Sequence, residues 1–194
     1  MIVVLPHSYR GCPPTIMIII HDYWIDDKSR PDIFYVRSRE KPICPICGDT
    51  LNVIGSRKRG LIEHDGTKRE LTIRRLKCDH CSRIHHELPE VIVPYKRYSA
   101  EAIEKSICGN NEDQACELST IRSWKIWFYL LEEYFESTLK AIRFLYINYA
   151  GLQREISLLQ PLKERRKKSD GWLKRLVRII VNSNRWIHTR FTFS

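Results

Sequence analysis

The chain has 194 residues, of which 43% are hydrophobic, and Lys and Arg outnumber Asp and Glu by 33 to 23 for a net charge of +10. That apolar content excludes general disorder and suits one or two small domains. The positive balance points to nucleic acid or another acidic surface as partner.

The opening "MIVVLPHSYRGCPP" lacks a basic leader region, and Pro6, Pro13 and Pro14 interrupt any apolar run, so no secretory signal is expected. The longest aliphatic run, Ile16 to Ile20, is too short to span a bilayer. The expected location is therefore the cytoplasm, with no membrane association. Thiols stay reduced there, and paired cysteines hold metal more often than they form disulfides. Residues 1–40 read as an N-terminal extended or strand segment.

Two cysteine pairs follow, "CPICG" from Cys44 to Gly48 and "CDHCS" from Cys78 to Ser82. A C-x2-C turn presents both sulfurs on one side of a tight loop, and Gly48 can take the positive φ that such a turn needs. Two such turns supply four thiolates, the closed tetrahedral set of structural zinc. Cys44, Cys47, Cys78 and Cys81 are therefore expected to bind one Zn2+, with no position left open for catalysis. His80, His85 and His86 read as polar surface residues, with replacement of a sulfur as the alternative. Cys108 and Cys116 lack pair spacing and read as small buried residues in helices. Cys12 also stands alone.

The insert between the pairs carries the β-rich "LTIRRL" and the turn signal His64-Asp65-Gly66. It is expected to fold as a β-hairpin whose ends bring the cysteines together, a zinc ribbon over residues 41–90. Strand alternation puts Arg57 and Arg59 on one face. It likewise groups Leu71, Ile73 and Arg75 on one side of the returning strand, with Thr72, Arg74 and Leu76 on the other. Arg57, Lys58, Arg59, Arg74 and Arg75 are thus candidate phosphate contacts, the alternative being a solvated outer face.

Residues 95–135 read as helix-turn-helix-like. Ser99 is a good N-cap for "AEAIEKSIC", Gly109 and Asn110 stop that helix, and "NEDQACE" is expected to make a short helix between turns. Ser119 or Thr120 is expected to cap the next helix. Ile121, Trp124 and Phe128 share a core-facing stripe, and Ser119, Thr120, Arg122, Ser123 and Lys125 are candidate base-reading residues.

Residues 136–194 read as a long helix and a basic amphipathic C-terminal helix. An apolar stripe runs through Phe135, Leu139, Ile142, Leu145, Tyr146 and Tyr149, breaks at Gly151 and resumes at Leu152, Ile156 and Leu159. Another helix or a second subunit must cover it, which makes a homodimer through this aromatic helix one expectation. From Lys163 to Arg190 ten Lys or Arg face only Glu164 and Asp170. Within that tail Trp172, Leu173, Leu176, Ile179 and Ile180 oppose Lys174, Arg175 and Arg178. Such a helix suits phosphates or an anionic membrane, and nucleic acid is expected. No phosphate-cradling glycine loop, HExxH or nucleophile elbow occurs, so no enzyme is expected. The expected fold is α+β: a small β-hairpin zinc ribbon, a mostly α-helical helix-turn-helix-like bundle, and the basic C-terminal helix.

The stretch "CPICGDTLNVIGSRKRG…TKRELTIRRLKCDHCSRIHHELP" resembles the zinc-binding head of bacterial insertion-sequence transposases of the ISL-three type. The continuation "VPYKRYSAEAIEKSI…STIRSWKIWF" resembles a small bacterial family of unknown function whose members are found near transposase genes. Together the likeness spans Ile43 to Phe128, and Cys44, Cys47, Cys78 and Cys81 match the ligand positions. It implies a DNA-binding accessory of a mobile element, with double-stranded DNA and a transposase encoded nearby as partners. The catalytic nuclease domain of a full transposase is absent from this sequence, so cleavage and strand transfer are not expected of it. A transcriptional regulator and a zinc-ribbon adaptor between proteins are the alternatives.

Overall fold

The structure, a computed structural model, describes residues 16–27 and 34–187. Strands β1 (Ile16–Ile20), β2 (Tyr23–Asp26), β3 (Phe34–Ser38), β4 (Leu51–Ile62), β5 (Lys68–Cys78) and β6 (Ile84–Pro89) form one six-stranded sheet. Helices α1 (Ala100–Cys108), α2 (Leu118–Leu145), α3 (Ala150–Leu159), α4 (Leu162–Arg165) and α5 (Trp172–Asn182) follow. The mixed α+β content agrees with the sequence, and the strands curl into a larger sheet than a lone hairpin.

The insert between the cysteine pairs folds as the expected antiparallel hairpin. Its register runs from Leu51 opposite Cys78 to Ile62 opposite Lys68, with an irregularity between Val53 and Gly55. The turn takes Gly66 to a φ of +87°, and a Cβ there would lie 2.8 Å from the Cβ of Ala115. Glycine is therefore required both by the backbone and by the close approach of the α1–α2 loop. The Ala115 amide donates to the His64 carbonyl at 3.0 Å, which docks the hairpin tip on that loop.

Strand β5 organises the sheet. One edge carries β4, and the other is divided between antiparallel β6 (Arg75 opposite His86) and parallel β3 (Phe34 opposite Leu71). Strand β1 lies parallel to β6, and β2 antiparallel to β3, so the first strands join the hairpin's own sheet. Ile19, Leu71, Ile73 and Leu88 then enter one core with Ile103, Trp127, Phe135 and Trp172 from the helices.

Helix α1 starts where Ser99 accepts a hydrogen bond from the Ala102 amide at 3.2 Å and stops at Gly109, φ 88°, as the sequence indicates. Between it and α2 no short helix forms. Residues 109–117 are a nine-residue loop, pinned by Gln114, whose Nε2 donates to the Ala102 carbonyl and whose Oε1 accepts from Ser106. That connection is longer than the three to four residues of a helix-turn-helix. Ser119 and Thr120 do not cap α2, because the helix begins earlier, with Glu117 at the cap position. Ile121, Trp124 and Phe128 are buried as their spacing indicates, together with Trp127.

The later part of α2 corrects two expectations. Phe135, Leu139 and Ile142 are buried in the same core as Ile156, Leu159 and Trp172, so the chain's own helices cover that part of the stripe. The helix ends at Leu145, and Leu145, Tyr146 and Tyr149 are exposed. The amphipathic tail helix α5 buries seven of its eleven residues and sits inside the core, not along a phosphate chain or a membrane. Periodicity shows that such a helix has an apolar face; it does not show what lies against it. Its cations are spent internally: Lys174 pairs with Glu90 at 2.7 Å, Arg178 with Glu155 at 2.9 Å and Arg175 with Asp170 at 3.2 Å. Among the described residues no helix is long and apolar enough to cross a membrane.

A carboxylate from α1 holds the start of α5. Gly171 occupies the cap position and has no side chain, so the buried Glu104 accepts instead from Gly171 N at 2.8 Å, Leu173 N at 2.7 Å and Ser169 Oγ at 2.9 Å. A negative charge at a helix N-terminus is stabilising, and here it is buried and fully hydrogen-bonded. At the other end of α5, Asn182 exchanges two 2.8 Å hydrogen bonds with the backbone of Ile19 on the edge of β1. Replacing Glu104 with Ala should lower stability by about 2–4 kcal/mol, since it strips a charged acceptor from buried donors. Urea unfolding of Glu104→Ala beside the wild type measures it.

Candidate functional site: a four-cysteine cluster and a basic hairpin face

The two cysteine turns are brought together by the base of the hairpin, where Leu51 pairs with Cys78. In the first turn the Gly48 amide donates to the Cys44 carbonyl at 2.9 Å, with Gly48 at φ +79°, and Cys44 N donates to Asp49 O at 2.7 Å. In the second, Cys78 N donates to Arg83 O at 3.0 Å and the Cys81 amide points at the Cys78 sulfur, 3.5 Å away. All four sulfurs lie within 4.8 Å of one another. Cys47 and Cys78 approach to 3.4 Å and Cys44 and Cys81 to 3.7 Å.

Those separations far exceed a disulfide bond, and the cysteines are free thiols. They are close to the spacing of about 3.8 Å that a tetrahedral ion imposes on ligands held at about 2.3 Å. Four cysteines thus stand where they could hold one metal ion. Cys44 and Cys78 are buried, with Ile18, Leu51 and Leu76 packed around them. Burial pushes the Cys44 thiol up to about 12, whereas the Cys81 amide holds Cys78 below its ordinary value. A cation at the centre would favour the thiolate form of both and supply its counter-charge in a buried place.

His85 belongs to this cluster, against the expectation of a surface residue. It is fully buried, and its Nε2 lies 3.4 Å from the Cys44 sulfur. With a metal bound, the Cys44 thiolate would carry no proton and the imidazole would be the donor; burial lowers the proton affinity of the ring. Its burial follows from cross-strand pairing: His85 lies opposite Leu76, an inward residue. His80 is exposed and His86 half-buried.

The five basic hairpin residues divide by face. Lys58 pairs with Glu70 at 2.6 Å, and Arg74 makes a bidentate pair, 2.6 Å on each arm, with the buried Glu87. Both are satisfied within the sheet. Arg57, Arg59 and Arg75 lie on the other face, shared with His86, and among the described residues none of the three has an ion pair with an acid. The segment after β6 adds two cations that were not among the candidates from sequence, Lys96 and Arg97. Arg59 donates to the Lys96 carbonyl at 2.8 Å, and the Lys96 ammonium sits 4.7 Å over the Trp127 ring. Arg59 is held below its ordinary value by burial, then by Arg57 and Arg97. Burial, then Arg57, Arg75 and Arg59, pull His86 down to about 4. The doublet "KR" was visible in the sequence; its return to the end of β4, through Ile62 N to Arg97 O at 2.9 Å, was not.

The residues nominated for base reading open α2. Ser119, Arg122, Ser123 and Lys125 are exposed and Thr120 is half-buried, while Ser123 returns its hydroxyl to the Ser119 carbonyl at 2.9 Å. This end of α2 directly follows the loop on which the hairpin tip rests. Cys108 and Cys116 are half-buried, each with its thiol on a nearby oxygen, Arg165 O and Gln114 Oε1, and Cys116 lies in the loop, not in a helix. Cys12 lies outside the described residues.

A family described as a domain of unknown function (DUF6431) matches residues 44–124, less than half of the chain. The match begins at the first cysteine of the cluster and ends at the buried Trp124, so it covers the hairpin, the cysteines and the start of α2. No curated protein and no solved structure matches the chain.

The basic face predicts a pH dependence. The folded His86 titrates near 4 and an unfolded histidine near 6.5, so between these values the unfolded chain binds a proton that the folded chain does not. Its contribution is present above pH 6.5 and is lost as the pH falls through that window. Unfolding midpoints measured from pH 7 to pH 4 should fall less steeply for His86→Gln than for the wild type.

Proposed function

We propose that the protein is a cytoplasmic, non-catalytic DNA-binding protein built on one structural zinc ion, an accessory that recognises or regulates the ends of a bacterial mobile element. Cys44, Cys47, Cys78 and Cys81 would hold the Zn2+, whose role is to lock the base of the hairpin. The observation that carries the DNA reading is the unpaired cationic face of Arg57, Arg59 and Arg75, extended by Lys96 and Arg97. Like charges gathered without acids suit a polyanion, and a phosphate chain is the polyanion that gains most from releasing its counterions there. Lys58 and Arg74, already paired, are left with a lesser part. The exposed Ser119, Arg122, Ser123 and Lys125 at the start of α2 would meet base edges, with Thr120 beside them. The mobile-element context rests on the resemblance of the cysteine-bearing segment to transposase heads.

The test is recovery of sheared genomic DNA by zinc-loaded protein at about 150 mM salt, followed by sequencing. Enrichment at inverted repeats flanking a mobile element is expected. Enrichment at promoters instead would favour a regulator. Uniform recovery that vanishes with modest added salt would contradict base reading and favour the adaptor. Arg57→Ala with Arg75→Ala should weaken binding to every sequence and lower the salt slope by about 2. Arg122→Ala with Lys125→Ala should chiefly erase the preference among sequences.

A further inference from the structure

Helix α2 is 28 residues long and buries one side against the core. Its opposite side is unusual for a solvent face. Ile126, Tyr129, Leu130 and Phe144 stand 51%, 68%, 57% and 80% exposed. Residues 126, 129, 133, 137, 140 and 144 recur at the spacing of one helical stripe, turned away from the buried Trp127, Phe135 and Ile142. This is not the stripe through Phe135 and Leu139 that the chain covers by itself.

The stripe is symmetric about its middle. Tyr129 and Phe144 lie equally far from the point between Glu136 and Ser137, and so do Glu133 and Lys140. Glu133 and Lys140 are exposed and, among the described residues, neither has an ion pair. A second α2 laid antiparallel and crossing at that point would set Glu133 of each copy against Lys140 of the other, and Tyr129 against Phe144. The small, exposed Ser137 at the crossing lets the two helices approach closely. A parallel arrangement would instead place Glu133 on Glu133. A surface whose charges and aromatics are arranged as their own complement fits a second copy of itself, as two-fold interfaces require. The mixed charge suits neither DNA nor an anionic membrane.

We propose that two copies of this chain pair antiparallel through the outer face of α2, along Ile126, Tyr129, Glu133, Ser137, Lys140 and Phe144. This pairing is independent of what the basic hairpin binds.

Sedimentation equilibrium of the full-length protein across the micromolar range tests it, with circular dichroism showing that each variant is folded. The wild type should dimerise. Glu133→Lys and Lys140→Glu should each weaken the dimer by about tenfold or more, because each creates two like-charge contacts in one interface. Combining the two reversals restores opposite charges across the two-fold and should bring the dimer back. A wild type that stays monomeric overturns the proposal. So does a dimer indifferent to these variants, or a double variant no tighter than the singles.

Discussion

The approach of four sulfurs at the base of the β4–β5 hairpin is the constraint on which the rest of this structure depends. Strand β5 ends at Cys78 and pairs with three other strands, so fixing that end fixes the sheet. Register decides which cations the hairpin presents. A slip of one residue would exchange the two faces of a strand. It would turn Arg57 and Arg59 away and present Lys58, whose charge is already met by Glu70. The four-cysteine cluster and the cationic face are therefore linked through the hairpin: the first sits at the end of the register that aligns the second.

The distribution of acids explains why the positive charge of the chain is not spread evenly. The helical tail carries most of the net charge in sequence, yet Arg166, Lys167, Lys174, Arg175 and Arg178 meet Glu132, Glu164, Glu90, Asp170 and Glu155 in the folded chain. Those pairs orient α5 and α4 against the core, and exposed ones contribute little energy. On the hairpin, Arg57, Arg59 and Arg75 meet no acid among the described residues, and the segment after β6 brings Lys96 and Arg97 beside them. There burial and the neighbouring Arg57, Arg75 and Arg59 keep the half-buried His86 neutral, and the Lys96 ammonium lies over the Trp127 ring.

Much of this could be read from local patterns. Cysteine spacing located the four-sulfur cluster, the His64-Asp65-Gly66 turn located the hairpin, and Ser99 and Gly109 marked α1, because each signal acts within a few residues. The failures were of another kind. The amphipathic pattern of α5 was visible, but its burial depends on Glu104, sixty-seven residues from the Gly171 amide it receives. The pairing of β1 with β6 and the contact of His85 with Cys44 are likewise long-range. "NEDQACE" was expected as a short helix, but Gln114 holds it as a loop through the α1 backbone. Tertiary contacts decided each of these.

The central claim, that a four-thiolate metal centre closes the hairpin, is tested most directly by X-ray absorption on protein of known metal content. One zinc ion per chain, with four sulfur neighbours at about 2.3 Å and no nitrogen or oxygen in the shell, is the predicted result. A folded chain holding well under one metal, or a shell with fewer than four sulfurs, would contradict it.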